Sequence, residues 1–138
     1  MPPISDLATL LRSLQPELHE GIFVFATLEA GQQVDPAELV ALVREPEGVS
    51  VVVAEQVASR LGLNAVFRCG WITLTVNSDL QAVGLTAAFS TALGNAGISC
   101  NVVAGTNHDH IFVPLERAAD AMAVLQRLQQ TGVVQEAR

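Results

Sequence analysis

The chain has 138 residues, half of them hydrophobic and 15% charged, with a mean hydropathy of +0.40. This length suits one domain or two very small lobes sharing a core, and the composition excludes a disordered chain and a span of about 18 uninterrupted apolar residues. The net charge is −7, with no lysine and arginine only at Arg12, Arg44, Arg60, Arg68, Arg117, Arg127 and Arg138, so no basic stripe exists for nucleic-acid phosphates or an anionic membrane surface.

Residues 5–14 predict a helix with Ser5 as its N-cap, and Leu7, Leu10, Leu11 and Leu14 fall on one face before Pro16 stops it. Residues 22–28 are apolar on both faces and predict a buried strand. Asp35-Pro36-Ala37-Glu38 has the form of a helix cap with Pro at the first helical position. Residues 39–43 and 49–53 flank the turn Glu45-Pro46-Glu47-Gly48 and predict a hairpin. Residues 55–61 predict a short helix stopped by Gly62. From Trp71 to Val76 the chain alternates, with Ile72, Leu74 and Val76 on one face and Trp71, Thr73 and Thr75 on the other. Asn77-Ser78-Asp79 is a turn with capping side chains. Residues 80–96 predict the strongest helix, burying Leu85, Ala88, Phe89, Ala92, Leu93 and Ala96 and ending at Gly97. Strands are expected at 98–104 and 108–113, around the turn Gly105-Thr106-Asn107. Pro114 opens a last helix, buried on Ala118, Met122, Leu125 and Leu128 and capped by Gly132, after which Val133 and Val134 are candidates for an edge strand.

The two halves repeat one order of strands and helices, so an internal duplication is expected. The expected fold class is α+β: a ferredoxin-like split βαβ in two tandem lobes, 1–64 with the leading helix and 65–138, with helices on one sheet face. His108, His110 and Phe112 then point to the open face, with Trp71 and Phe23 or Phe25. Burying one large aromatic contributes on the order of 2 kcal/mol, so a cover is expected from the other lobe, the N-terminal helix or a second chain. The expected picture is two sheets meeting by their bare faces, with a crevice at a helix start. So apolar a small chain also points to an oligomer.

Cys69 and Cys100 sit in apolar surroundings without a CxxC, and the first six residues carry no secretion signal. Together these predict reduced core thiols in a cytoplasmic protein.

The segment from Leu74-Thr75-Val76-Asn77-Ser78-Asp79-Leu80 through Ala96-Gly97-Ile98-Ser99-Cys100-Asn101-Val102-Val103-Ala104-Gly105 resembles an ACT domain, like the regulatory lobes of aspartokinase. The turn Arg44-Glu45-Pro46-Glu47-Gly48, the helix start Val83-Gly84-Leu85-Thr86 and the run His108-Asp109-His110-Ile111-Phe112-Val113 resemble a small stand-alone bacterial ACT family more closely still. The resemblance runs over residues 21–113. It implies tandem ACT-like lobes, dimeric packing, a regulatory amino-acid site and no catalysis or cofactor. The first lobe lacks a long helix between its first two strands and has no counterpart of Val83-Gly84-Leu85, so a ligand site carried over belongs to the second lobe.

That site would be the turn of residues 77–85. A helix start offers unpaired N–H groups and a partial positive charge, which suit the carboxylate of a free amino acid or a similar small anion. Gly84, without a Cβ, would admit a ligand to the backbone beside Val83 and Leu85. The resemblance adds Asn101, Val102 and Val103 from the strand of a partner lobe. The competing reading has Asn77, Ser78 and Asp79 only capping the helix and Gly84 only permitting close packing. His108-x-His110 could chelate a divalent metal, but the further ligands are not evident, and the two imidazoles also suit an interface. No nucleophile constellation or phosphate loop is present. The expected function is a small regulatory ligand-binding protein; the alternative is an interaction module without a ligand.

Overall fold

The computed structural model describes residue 3 and residues 5–135. A ten-residue strand organises them. This strand, β5 (Ala65–Leu74), takes part in both halves of the molecule. Its first half pairs with β2 (Phe23–Leu28), which pairs on with β4 (Gly48–Ala54) and then β3 (Leu39–Glu45). Its second half lies between β1 (Pro16–Leu18) and β7 (Asp109–Pro114), and β6 (Asn101–Ala104) closes that side. Every pairing is antiparallel, and the result is one seven-stranded sheet. Two sheets meeting face to face were expected; a shared β5 makes that impossible within one chain.

Cross-strand partners point to the same face. Val24, Ala26, Val51 and Val53 thus share a face with Ile72, Leu74, Ile111 and Val113, and all four helices lie there. Helix α2 (Glu55–Leu61) covers the β2–β4 side with Val57 and Ala58 and ends at Gly62 in a left-handed conformation. Helices α3 (Leu85–Asn95) and α4 (Ala118–Thr131) cover the β5–β7 side with Leu85, Phe89, Leu93, Leu125 and Leu128. Residues 29–38 hold a turn closed by Gln32 N–H on Glu29 O at 3.0 Å and a 3₁₀ turn, Pro36–Glu38, capped by Asp35.

The leading helix, α1 (Leu7–Arg12), packs on the second half of the sheet. Leu10, Leu11 and Leu14 enter the core that α3 and α4 build. Gln129 of α4 clamps the exit of α1: its Oε1 accepts from Gln15 N–H at 2.9 Å and its Nε2 donates to Arg12 O at 3.1 Å. The N-cap is Asp6, not Ser5. Residues 133–135 form no strand; residues 136–138 lie outside the described part.

Candidate functional site

The chain leaves β5 through residues 75–84 before α3 begins. Asp79 builds this turn. Its Oδ1 accepts from Gln81 N–H at 2.9 Å, its carbonyl from Ala82 N–H at 2.9 Å, and its Oδ2 from the Ser5 hydroxyl at 3.0 Å. Asn77 also has a partner, and Ser78 is half-buried between the two. Asp79 therefore holds its own turn and tethers the chain start.

Helix α3 starts on Gly84, whose φ of +104° strains any residue with a Cβ, and no side chain caps it. The first bonded N–H of the helix is that of Ala88, which donates to Gly84 O at 2.9 Å. The N–H groups of Leu85, Thr86 and Ala87 are thus left at the positive end of an 11-residue helix. Thr86 and Ala87 are exposed, Leu85 is buried, and Val83 is 85% exposed. The flank of Gly84 is occupied: a Cβ there would lie 3.0 Å from Cδ2 of Leu7 on α1. Gly84 is therefore where α1 and α3 approach closely.

Asn101, Val102 and Val103 lie on β6, which β7 separates from β5. Asn101 is exposed, Val102 packs on the helix-side core and Val103 on the opposite face. Within one chain, the turn of residues 77–85 follows β5 while Asn101, Val102 and Val103 lie on β6, with β7 between these two strands.

The helix-free face carries an aromatic cluster around Phe112, which its neighbours bury completely. Both Phe23 and Phe25 point there. Phe25 meets Phe112 edge-on at 5.4 Å and Phe67 at 5.7 Å, and Phe23 meets Trp71 edge-on at 5.2 Å. A polar chain crosses this cluster. Trp71 Nε1–H donates to His110 Nδ1 at 3.1 Å, Thr73 Oγ1 lies 3.1 Å from the same nitrogen, and His19 Nε2 lies 2.7 Å from Thr73 Oγ1. The His19 ring stacks on Trp71 at 3.5 Å. Burial holds both His19 and His110 below the ordinary histidine value, and the charges of His108 and His19 push His110 further the same way; Glu17 opposes the shift of His19. His108 turns to the chain instead, donating from Nδ1 to Val76 O at 3.3 Å. Among the described residues, no group of three or more metal-ligating side chains forms.

His19 and Phe67 were not among the residues singled out from sequence. His19 is two residues beyond Glu17 in the alternation of β1, but only the pairing of β1 with β5 brings it to Trp71. Burial pushes the Cys69 thiol up to about 12 and that of Cys100 up to about 11, which leaves both as unreactive free thiols. Two surface grooves lie away from residues 77–85: one of about 320 Å³ between α3 and α4 beside Arg127, and one of about 360 Å³ beside Glu20, Phe23 and Glu55.

No helix among the described residues is long and apolar enough to cross a membrane. No curated protein matches the sequence. A solved structure of a protein of unknown function from Vibrio cholerae, described as a possible transport protein, is 43% identical and superimposes with a TM-score of 0.76 over 90% of this chain and 96% of that one. The ligand-free regulatory subunit of aspartate kinase from Thermus thermophilus is 11% identical, with a TM-score of 0.59 over 84% of this chain and 97% of that one. Escherichia coli aspartokinase III in complex with aspartate and ADP is 9% identical, with a TM-score of 0.57 over 82% of this chain and 32% of that one. These last two share the fold. Two ACT domain family models match the sequence, over residues 2–70 and 66–127, and overlap inside β5. With tandem ferredoxin-like halves on one antiparallel sheet and all helices on one face, the chain belongs to the ACT domain family, whose members are regulatory modules.

Proposed function

We propose that the chain is a small regulatory ligand-binding protein, not an enzyme, that takes a free amino acid or similar small anion at the start of α3. One observation carries this reading: an 11-residue helix of an ACT fold begins with no side-chain cap, leaving its first N–H groups for an anion. The ligand carboxylate would accept from Thr86 and Ala87 N–H. Asn77, Ser78 and Asp79 would flank it on one side and Val83, Gly84 and Leu85 on the other. Asn101, Val102 and Val103 would come from β6 of a second copy, which makes the working unit a homodimer. Residues 1–64 and 65–138 would form the two lobes, with α1 and β1 reaching onto the second. The proposed setting is the cytoplasm. Ligand would favour one arrangement of the lobes, and a partner would read that arrangement. The scattered arginines offer no nucleic-acid surface.

A thermal-shift screen of the full chain against the twenty amino acids tests the site. A binding amino acid raises the Tm, by linkage, and Thr86→Glu abolishes that rise. Thr86 is exposed in the first turn of α3, so the added carboxylate repels an anion without disturbing the core, and in isolation it stabilises the helix by about 0.5 kcal/mol. No response to any amino acid, or an undiminished response in Thr86→Glu, overturns the reading.

The second reading is an interaction module working through the helix-free face. It is favoured by the half-buried Phe25, Phe67 and Trp71 there. A ligand-independent homodimer, with Phe67→Asp monomeric in sedimentation, would support it.

A further inference from the structure

Histidine nitrogens accept a hydrogen bond only when bare, and an indole N–H only donates. His110 Nδ1 receives the Trp71 indole N–H at 3.1 Å, so in this arrangement it carries no proton. The Thr73 hydroxyl has one proton and lies 3.1 Å from the same nitrogen and 2.7 Å from His19 Nε2. It either shares the His110 Nδ1 lone pair with the indole and accepts from His19 Nε2–H, or donates to a bare His19 Nε2. The proton of neutral His110 sits on Nε2, at the end of the ring that lies against Gly105, where a Cβ would come within 3.3 Å of it. In either arrangement the indole N–H of Trp71 is the donor held on His110 Nδ1.

We propose that His110 is a proton-operated latch for Trp71: bare at Nδ1 it holds the indole on the helix-free face, and protonated there it releases it. A proton on Nδ1 confronts the indole N–H with another donor. The Thr73 hydroxyl can accept from His110 Nδ1–H, donating its own proton to His19 Nε2 where that nitrogen is bare. Trp71 has no such alternative, because its N–H cannot become an acceptor.

The groups facing the latch are few. Just ahead of its strand, His108 is close enough for its charge to act on His110; from β1 and the residue that follows it come Glu17 and His19; β5 presents only uncharged Trp71 and Thr73, and β6 only Asn101 and Val103. Asp109 points to the opposite, helix-covered face. The two neighbouring imidazoles and burial all oppose a proton on His110. The neutral, latched form is therefore the resting one near pH 7.5, and release belongs to the range below the ordinary histidine value of 6.5. A released, charged latch leaves a cation beside the aromatic side chains of this face, which disfavours an apolar partner there.

The chain has a single tryptophan, so its indole resonance in a ¹H–¹⁵N spectrum reports this one bond. The full chain is titrated from pH 8 to pH 5 in a His19→Gln background, which removes the stacked imidazole as a second source of change. The latch predicts the Nε2–H tautomer for His110 at pH 8, from its ring ¹⁵N shifts, and an indole resonance that moves with the same midpoint as the His110 ring. His110→Gln, whose amide oxygen accepts at all pH values, should leave the indole resonance flat. An indole resonance that stays still while His110 titrates, an Nδ1–H tautomer at pH 8, or a transition that persists in His110→Gln would overturn the latch. Retained dispersion of the remaining amides shows that each variant is folded.

Discussion

Asp109 shows how one residue can oppose the fold that contains it. The alternation of β7 turns its side chain inward, toward the helices, and burial alone raises its carboxyl above the usual 3.8. Because the folded value exceeds the unfolded one, the folded state is penalised for the charge. The penalty is absent below pH 3.8 and grows as pH rises through the folded value. Asp109→Asn should therefore stabilise the protein at pH 7 by about 0.5–1 kcal/mol, read from the urea midpoint, and the gain should shrink toward pH 4. A lower midpoint at pH 7 would mean that the carboxylate has a stabilising partner. At this scale the alternation around Asp109 was legible, since a period of two in His108-Asp109-His110-Ile111-Phe112 places Ile111 inward and Phe112 outward. Gly84 was legible as a special position but not in its use. Its positive φ and its contact with Leu7 come from where α1 docks, a contact 77 positions apart in the chain that no local pattern encodes. The stacked His19 was hidden for the same reason, since it depends on a pairing with β5.

Among the elements, α1 is stable only by what it touches. Six residues are far too few for an isolated helix in water, yet Leu10 and Leu14 are fully buried among residues of α3, α4 and the sheet. Leu14→Ala should cost about 2–5 kcal/mol, the range for a truncated core leucine, whereas Leu42→Ala on exposed β3 should stay within about 0.5 kcal/mol. Similar urea midpoints for the two variants would show that α1 is dispensable. The hairpin of β3 and β4 and helix α2 were readable from sequence because a turn, a β-branched run and a stopping Gly62 are all local signals. Strand β5 was readable only from Trp71 onward. Its first half carries Arg68 and Gly70, which interrupt an apolar alternation, and each has a tertiary reason. Arg68 pairs with Glu55 at 2.6 Å, and a Cβ on Gly70 would lie 3.0 Å from Cβ of Ala118. Helix α3 starts later than its apolar pattern suggests because Asp79 folds residues 79–82 into a turn instead.

For the whole molecule, the consequence of β5 is mechanical unity. The β3-β4-β2 side pairs with residues 65–69 and the β7-β6 side with residues 69–74, so neither side can lose its pairing without fraying the other. The cores under α2 and under α3 and α4 should therefore melt together. Amide exchange at Val24 and Val53 on one side and at Ile111 and Val113 on the other, all fully buried, should report one opening free energy. Trp71 emission and far-UV circular dichroism should give coincident urea transitions. That shared stability should also fall on mild acidification. His19 and His110 have folded values below their unfolded ones, so their contribution is fully present above about pH 6.5 and is lost as the unfolded chain gains protons that the native state refuses. Asp109 acts in the opposite sense, and the exposed Asp6 and Glu55, whose carboxyls are held low by Thr9 and Arg68, lose their contribution only below 3.8 and 4.5 respectively. Between pH 7.5 and pH 5.5 the two histidines dominate, and the urea midpoint of the single transition should drop. The double variant His19→Gln, His110→Gln should flatten the profile in that interval. Two separated transitions, with Val24 and Val53 exchanging through the weaker one, would mean that β5 joins the halves in space but not in energy.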